Sequence, residues 1–90
     1  LEPFGTGNPE PLFLTRNVRV RDRRIVGEHH LKLVLEQDGR SIQSIGFGMG
    51  DLAVAAGDQI DVIYGIMSNE WNGNTYAELR LRDLRPTGAA

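Results

Sequence analysis

The chain has 90 residues, 40% hydrophobic and 24% charged, with ten Lys and Arg against twelve Asp and Glu. That size supports one small globular domain that buries about two-thirds or less of its unfolded surface, with little volume left for a catalytic cleft. Cysteine is absent, which excludes a disulfide framework or thiolate metal site and fits a reducing cytoplasmic setting. No apolar run approaches the ~20 residues of a membrane span and no signal peptide is visible, so no membrane partner is expected. A first residue of Leu rather than Met reads as a piece cut from a longer protein.

The net charge of −2 argues against a strong general polyanion trap, because non-specific nucleic-acid affinity comes mainly from Lys and Arg neutralising phosphates. The cations are nevertheless clustered. Arg16, Arg19, Arg21, Arg23 and Arg24 share a short stretch with one acid, Asp22, and Arg80, Arg82 and Arg85 lie close together near the end. One basic face on an acidic body is the expectation.

Residues 1–12, LEPFGTGNPEPL, are rich in Pro and Gly. Pro removes backbone donors and Gly loosens the chain, so the segment reads as a connector from a preceding domain, with Phe4 and Leu12 pinned on something apolar. The domain proper is expected over residues 13–86. Phe13 to Val26 alternates Val18 and Val20 against Arg19, Arg21 and Arg23, giving a long strand with one basic face and a bulge or bend at Arg23-Arg24. His29 to Glu36 follows as a strand with Leu31, Leu33 and Leu35 inward and His30, Lys32 and Val34 outward. Asp38-Gly39 is a hairpin turn signal.

Ser41 to Phe47 is a third strand whose inward residue is either Ile42 or the Ile45/Phe47 pair. Gly50 to Ala56 reads as a helix of about two turns, with Asp51 as N-cap and Gly57 following its end. Asp58 to Leu84 holds two long strands around Asn72-Gly73, a pair that tolerates the positive φ angles of a type I′ turn. Ile60, Val62, Tyr64 and Ile66 face inward on the first arm, and Ala77, Leu79 and Leu81 on the second. Tyr76, Glu78, Arg80 and Arg82 take the outer face. Pro86 ends the last strand and residues 87–90 form a frayed tail.

Five strands with a short helix between the third and fourth match a five-stranded Greek-key barrel, the OB-fold, in an all-β chain. An immunoglobulin-like sandwich would need about seven strands and no helix. An SH3-like barrel would have shorter strands.

Few residues suggest catalysis. His29 and His30 are adjacent on a strand, so they point to opposite faces and cannot share a metal ion. Asp58 and Asp61 also face opposite ways. Gly46 to Gly50, GFGMG, has the context of a phosphate-cradling turn but lacks the Walker lysine and the third dinucleotide glycine, so it reads as a plain turn. Trp71 and Tyr76, with asparagines between them, either offer stacking surfaces for bases or cover the barrel end. Arg19, Arg21, Lys32, Arg80 and Arg82 serve phosphates, or are only a solvated face or ion-pair partners for Glu78 and Asp22.

Four stretches resemble one family. Pro3 to Pro11, PFGTGNPEP, is similar to the PFGxGNPEP signature that leads into the C-terminal OB domain of RecJ, the bacterial single-stranded-DNA-specific 5′ exonuclease. Val26 to Leu33, Gly57 to Tyr64, and Asn69 to Gly73 with Leu79 to Pro86 look like the same domain, so the likeness spans nearly the whole chain. The resemblance implies a non-catalytic module that guides single-stranded DNA toward a separate core bearing DHH and GGH motifs, with manganese or magnesium in that core and no cofactor here. Arg19, Arg21, His30 and Lys32 on the first two strands, Trp71, Asn72 and Tyr76 at the tip, and Arg80 on the last strand are the candidate DNA contacts. The rival reading is a structural spacer that docks on the catalytic core of its parent or on a single-strand-binding protein.

Overall fold

A computed structural model describes residues 11–88, with Trp71 through its backbone alone. The expectations for Phe4 and for the Trp71 indole lie outside the described residues. Five strands follow one another: β1 (Phe13–Val26), β2 (His30–Gln37), β3 (Arg40–Gly46), β4 (Gln59–Trp71) and β5 (Asn74–Pro86). They close into a barrel in the order β1-β2-β3-β5-β4. All neighbours are antiparallel except β3 and β5, which run parallel through Ser44↔Leu79 and Ile45↔Arg80. This is the topology of an OB-fold.

Period-two alternation puts Leu31, Leu33 and Leu35 of β2 inside, against Val18, Val20, Ile60, Val62, Leu79 and Leu81, all of them buried. On β3 the inward set is Ile42, Ser44 and Gly46. Ser44 is accommodated there because its hydroxyl donates to the Leu33 carbonyl at 3.0 Å, which satisfies an otherwise costly buried polar group. Ile45 and Phe47 therefore face out. Asn72 (φ 52) and Gly73 (φ 78) both adopt the left-handed conformation that the hairpin turn requires, as do Asp38 (φ 54) and Gly39 (φ 79).

Three phase changes depart from strict alternation. In β1 the register against β2 slips between Val20 and Asp22, so the irregularity falls at Arg21 rather than at Arg23-Arg24. Arg23 then sits opposite Leu33 and turns inward, away from Arg19. Its Nη2 lies 3.5 Å from the Gly50 carbonyl, and its Nε is buried with no hydrogen-bond partner among the described residues. A second shift, between Thr15 and Val18, carries Asn17 at φ 63. In β5 the register slips at Arg82, so the inward residues change from Leu79 and Leu81 to the half-buried Leu84.

The expected helix between β3 and β4 is absent: residues 47–58 form turns and irregular segments. Seven residues are too few to repay helix nucleation, and the segment has better local partners. Gly50 N–H donates to the His29 carbonyl at 2.7 Å, Gly57 N–H to the Val20 carbonyl at 2.7 Å, and Ala55 N–H to the Asp58 carboxylate at 2.9 Å. These bonds lash the connection across the barrel end, and Val54 is buried beneath it, doing the work expected of a capping helix.

The β4–β5 arms outgrow the barrel. β1 pairs with β4 only as far as Phe13↔Tyr64, so Ile66, expected inside, is 56% exposed, and Ala77 is exposed as well. A cavity of about 720 Å³ opens at this end, lined by Val18, Leu35, Ile42, Val62, Ile66 and Leu79 with Thr15 and Tyr64. The Thr15 and Tyr64 hydroxyls pair at 2.8 Å. At the other side of β4, Asp61 is nearly buried and accepts from Asn17 N–H at 3.0 Å and from the Thr87 hydroxyl at 2.8 Å. Thr87 N–H also donates to the Gln59 carbonyl at 2.9 Å, so the chain expected to fray from residue 87 is still anchored there.

Candidate nucleic-acid interface

Residues that pair directly across a sheet share a face. The registers Arg24↔Lys32, Lys32↔Ile45, Ile45↔Arg80 and Arg80↔Gly65 therefore draw one line across all five strands on the outside of the barrel. His30 and Phe47 lie one position further toward the β1–β2 turn. On the other side of the line come Val34, Gln43, Glu78 and Met67, and beyond them Tyr76 opposite Asn69.

Phe47 is the centre of the basic end. It is 49% exposed at the mouth of β3, its ring meets His30 edge-on at a centroid distance of 5.3 Å, and the Arg80 guanidinium carbon lies 5.4 Å from its centroid. The last is within cation–π range. His30 is held in place because its Nδ1 accepts from Gly48 N–H at 3.1 Å. Arg80 faces Gly65, which presents no side chain, so nothing on β4 competes for its guanidinium at that register.

Next to this cluster the charges are already matched. Lys32 is ion-paired with Glu78, whose other carboxylate oxygen accepts from Asn69 Nδ2 at 2.7 Å. Arg19 pairs with Glu36 at 2.8 Å.

The structure thus gathers three of the sequence-predicted residues, His30, Lys32 and Arg80, on one surface, with Tyr76 exposed further along the same side of β5. Arg19 stands beside Glu36, four residues along β2 from Lys32, or about 13 Å at the usual strand rise, and is spent on its ion pair. Arg21 is the exposed bulge residue of β1. Asn72 is exposed in the hairpin turn, away from the cluster. The prediction placed Glu78 on this outer face beside Arg80 but missed Phe47 and Arg24 as members of the surface. For Phe47 the signal was a strand whose alternate positions include Ser44 and Gly46, which assigns the aromatic to the other side.

Among the described residues, no three or more His, Cys, Asp or Glu side chains are grouped to hold a metal ion. His29 lies against Glu28 at 3.5 Å while His30 turns to Phe47. These residues do not fit a divalent-metal centre. Among the described residues, the one carboxyl clearly displaced from its ordinary range is that of Asp61, held low by the Asn17 N–H, then by the Thr87 hydroxyl, with Arg85 and Arg16 adding attraction. Its bonds knit β1 to the chain end, which is a structural role.

The sequence model of the RecJ OB domain matches residues 1–83. The chain belongs to the RecJ OB domain family. It is 35% identical over 85 residues to the single-stranded-DNA-specific exonuclease RecJ of Thermus thermophilus, covering 94% of this chain and 12% of that protein. It is 31% identical over 88 residues to the enzyme of the same name from Salmonella typhimurium, covering 93% and 15%. The crystal structure of Thermus thermophilus RecJ in complex with Mn2+ superposes with a TM-score of 0.69 at 35% identity, over 98% of this chain and 13% of that one. This RecJ OB domain therefore spans less than one-sixth of the length of the curated relatives it matches. In those terms the His30–Phe47–Arg80 surface is the outer face of β2, β3 and β5, next to the β1–β2 turn, where OB-folds usually receive ligands.

Proposed function

We propose that this OB domain is a non-catalytic binding module for single-stranded DNA, guiding a strand toward a separate metal-dependent exonuclease core. The observation that carries the reading is the His30–Phe47–Arg80 cluster: an exposed ring with a guanidinium and an imidazole against it, in line with Lys32 and Arg24. A ring presented beside cations lets a base stack while phosphates meet charge, a combination indifferent to sequence and suited to unpaired strands. The core of the parent enzyme, with manganese or magnesium, supplies the hydrolysis; the residues here bind and orient.

Titration with oligothymidine, followed by amide chemical shifts, tests this. Saturable shifts are expected at His30 to Lys32, Phe47 to Gly48 and Leu79 to Arg80, weakening as salt rises, with a smaller response to duplex. Absence of saturation at low salt overturns it. A second reading, a spacer docking on the catalytic core or on a single-strand-binding protein, draws support from Leu14 and Ile63. They pair on the outer wall of β1 and β4 and are both exposed. Shifts appearing at Leu14 and Ile63 on addition of such a protein, with none on addition of DNA, favour that reading.

A further inference from the structure

The candidate DNA face carries a closed ion pair at its middle. Lys32 belongs to β2 and Glu78 to β5, and β3 runs between them. Their side chains must cover two strand spacings, roughly 9.6 Å, so they lie flat over β3 beside Ile45. Both are largely withdrawn from solvent, with 21% of the Lys32 side chain and 12% of that of Glu78 exposed. The carboxylate is fully engaged, one oxygen on Lys32 and the other on Asn69. An ordinary neighbouring-strand pair would not need this reach or this immobilisation of two long side chains.

We infer that the Lys32–Glu78 pair is a latch across β3 that keeps phosphate off the centre of the face and limits how tightly a strand is held. The inference rests on the DNA-binding reading above. With Lys32 neutralised by Glu78, the centre of the face offers phosphate no net positive charge, while Arg24 on one side and Arg80 on the other attract it. A strand is thereby turned with its bases toward β3 and Phe47 and its phosphates toward the arginines. Weak central binding suits a module along which a strand must move as it is shortened.

The test measures oligothymidine affinity of the chain as a function of salt, with folding followed by circular dichroism. Glu78→Gln keeps the size of the side chain and removes the charge that occupies Lys32. Affinity is expected to rise about three- to tenfold, and the plot of log K against log salt to steepen by about 0.7, the value of one additional phosphate contact on a single strand. Glu78→Asp, too short to cross β3 yet unchanged in charge, is expected to move in the same direction. Adding Lys32→Gln to Glu78→Gln is expected to abolish the gain. Unchanged affinity and slope in Glu78→Gln, or a gain that survives loss of Lys32, overturns the latch alone; no binding by wild type or variant at low salt overturns the DNA-binding reading with it.

Discussion

Gly50 is where the loop that carries Phe47 is tied to the barrel, and substituting it tests that arrangement. A Cβ at Gly50 would lie 2.8 Å from the His29 carbonyl oxygen and 3.0 Å from its carbon. Ordinary van der Waals contact begins at 3.4 Å, so the connection must retreat by about 0.6 Å. The obstacle is backbone, which cannot rotate aside, and the retreat stretches the 2.7 Å bond from Gly50 N–H to the same oxygen. Loss of that bond costs about 1 kcal/mol and the overpacking about 1–3 kcal/mol. The smaller entropy of an unfolded chain with Ala returns about 0.4–1 kcal/mol. The net expectation for Gly50→Ala is a loss of about 1–3.5 kcal/mol, a fall in Tm of roughly 5–25 °C for a domain of this size. Gly46→Ala is the control. Its Cβ meets the Met49 sulfur at 2.6 Å, which a flexible thioether can relieve, and Met49 Cβ at 3.1 Å, which needs a shift of only about 0.3 Å to reach ordinary contact, so its loss should be smaller. Melting curves followed by far-ultraviolet circular dichroism decide the matter. A Gly50→Ala Tm within 2 °C of wild type, or a larger fall for Gly46→Ala, would refute the reasoning, where 2 °C corresponds to less than about 0.5 kcal/mol.

Phe47→Ala is expected to weaken oligothymidine binding about five- to 150-fold with little change in salt slope, since base–aromatic stacking contributes about 1–3 kcal/mol and carries no charge; fluorescence anisotropy reads both quantities. Arg23→Met retains the buried stem and removes an Nε donor that has no partner among the described residues, so stability is expected to stay level or rise by up to about 1 kcal/mol. A fall of more than 3 °C would show that Arg23 is held by more than its 3.5 Å contact with Gly50. For Asp61 the folded-state value lies below the unfolded one. Its contribution is therefore present above about pH 4, the unfolded carboxyl value, and is lost as pH falls through the folded value. The Tm of wild type should drop between pH 5 and pH 3 more steeply than that of Asp61→Asn, which keeps an acceptor oxygen but cannot titrate.

Strand number, order and turn positions were legible because each is a local property. Leu31, Leu33 and Leu35 alternate within one strand, and Asn72-Gly73 and Asp38-Gly39 carry their own positive φ. The family signature was legible for the same reason, being a run of consecutive residues. What the sequence could not supply were the places where alternation breaks, since a bulge is a mismatch in length between two strands and belongs to neither alone. The slip at Arg21 turned Arg23 inward and left Arg24 beside Lys32. The slip at Arg82 changed the inward phase of β5.

The helix expected over Gly50 to Ala56 failed on a related ground. Its caps and composition were locally acceptable, yet the backbone donors of Gly50 and Gly57 found acceptors on β2 and β1 that only barrel closure brings near. The amino-acid sequence by itself therefore determined an all-β chain with five strands, its hairpins, its aliphatic interior and its membership of the RecJ OB domain family. Tertiary structure alone decided that Phe47 stands beside Arg80 and His30, and that Lys32 is answered by Glu78 across an intervening strand. Those neighbours lie far apart in the chain, and shear and closure of the barrel, not the spacing of residues, set which of them share a face.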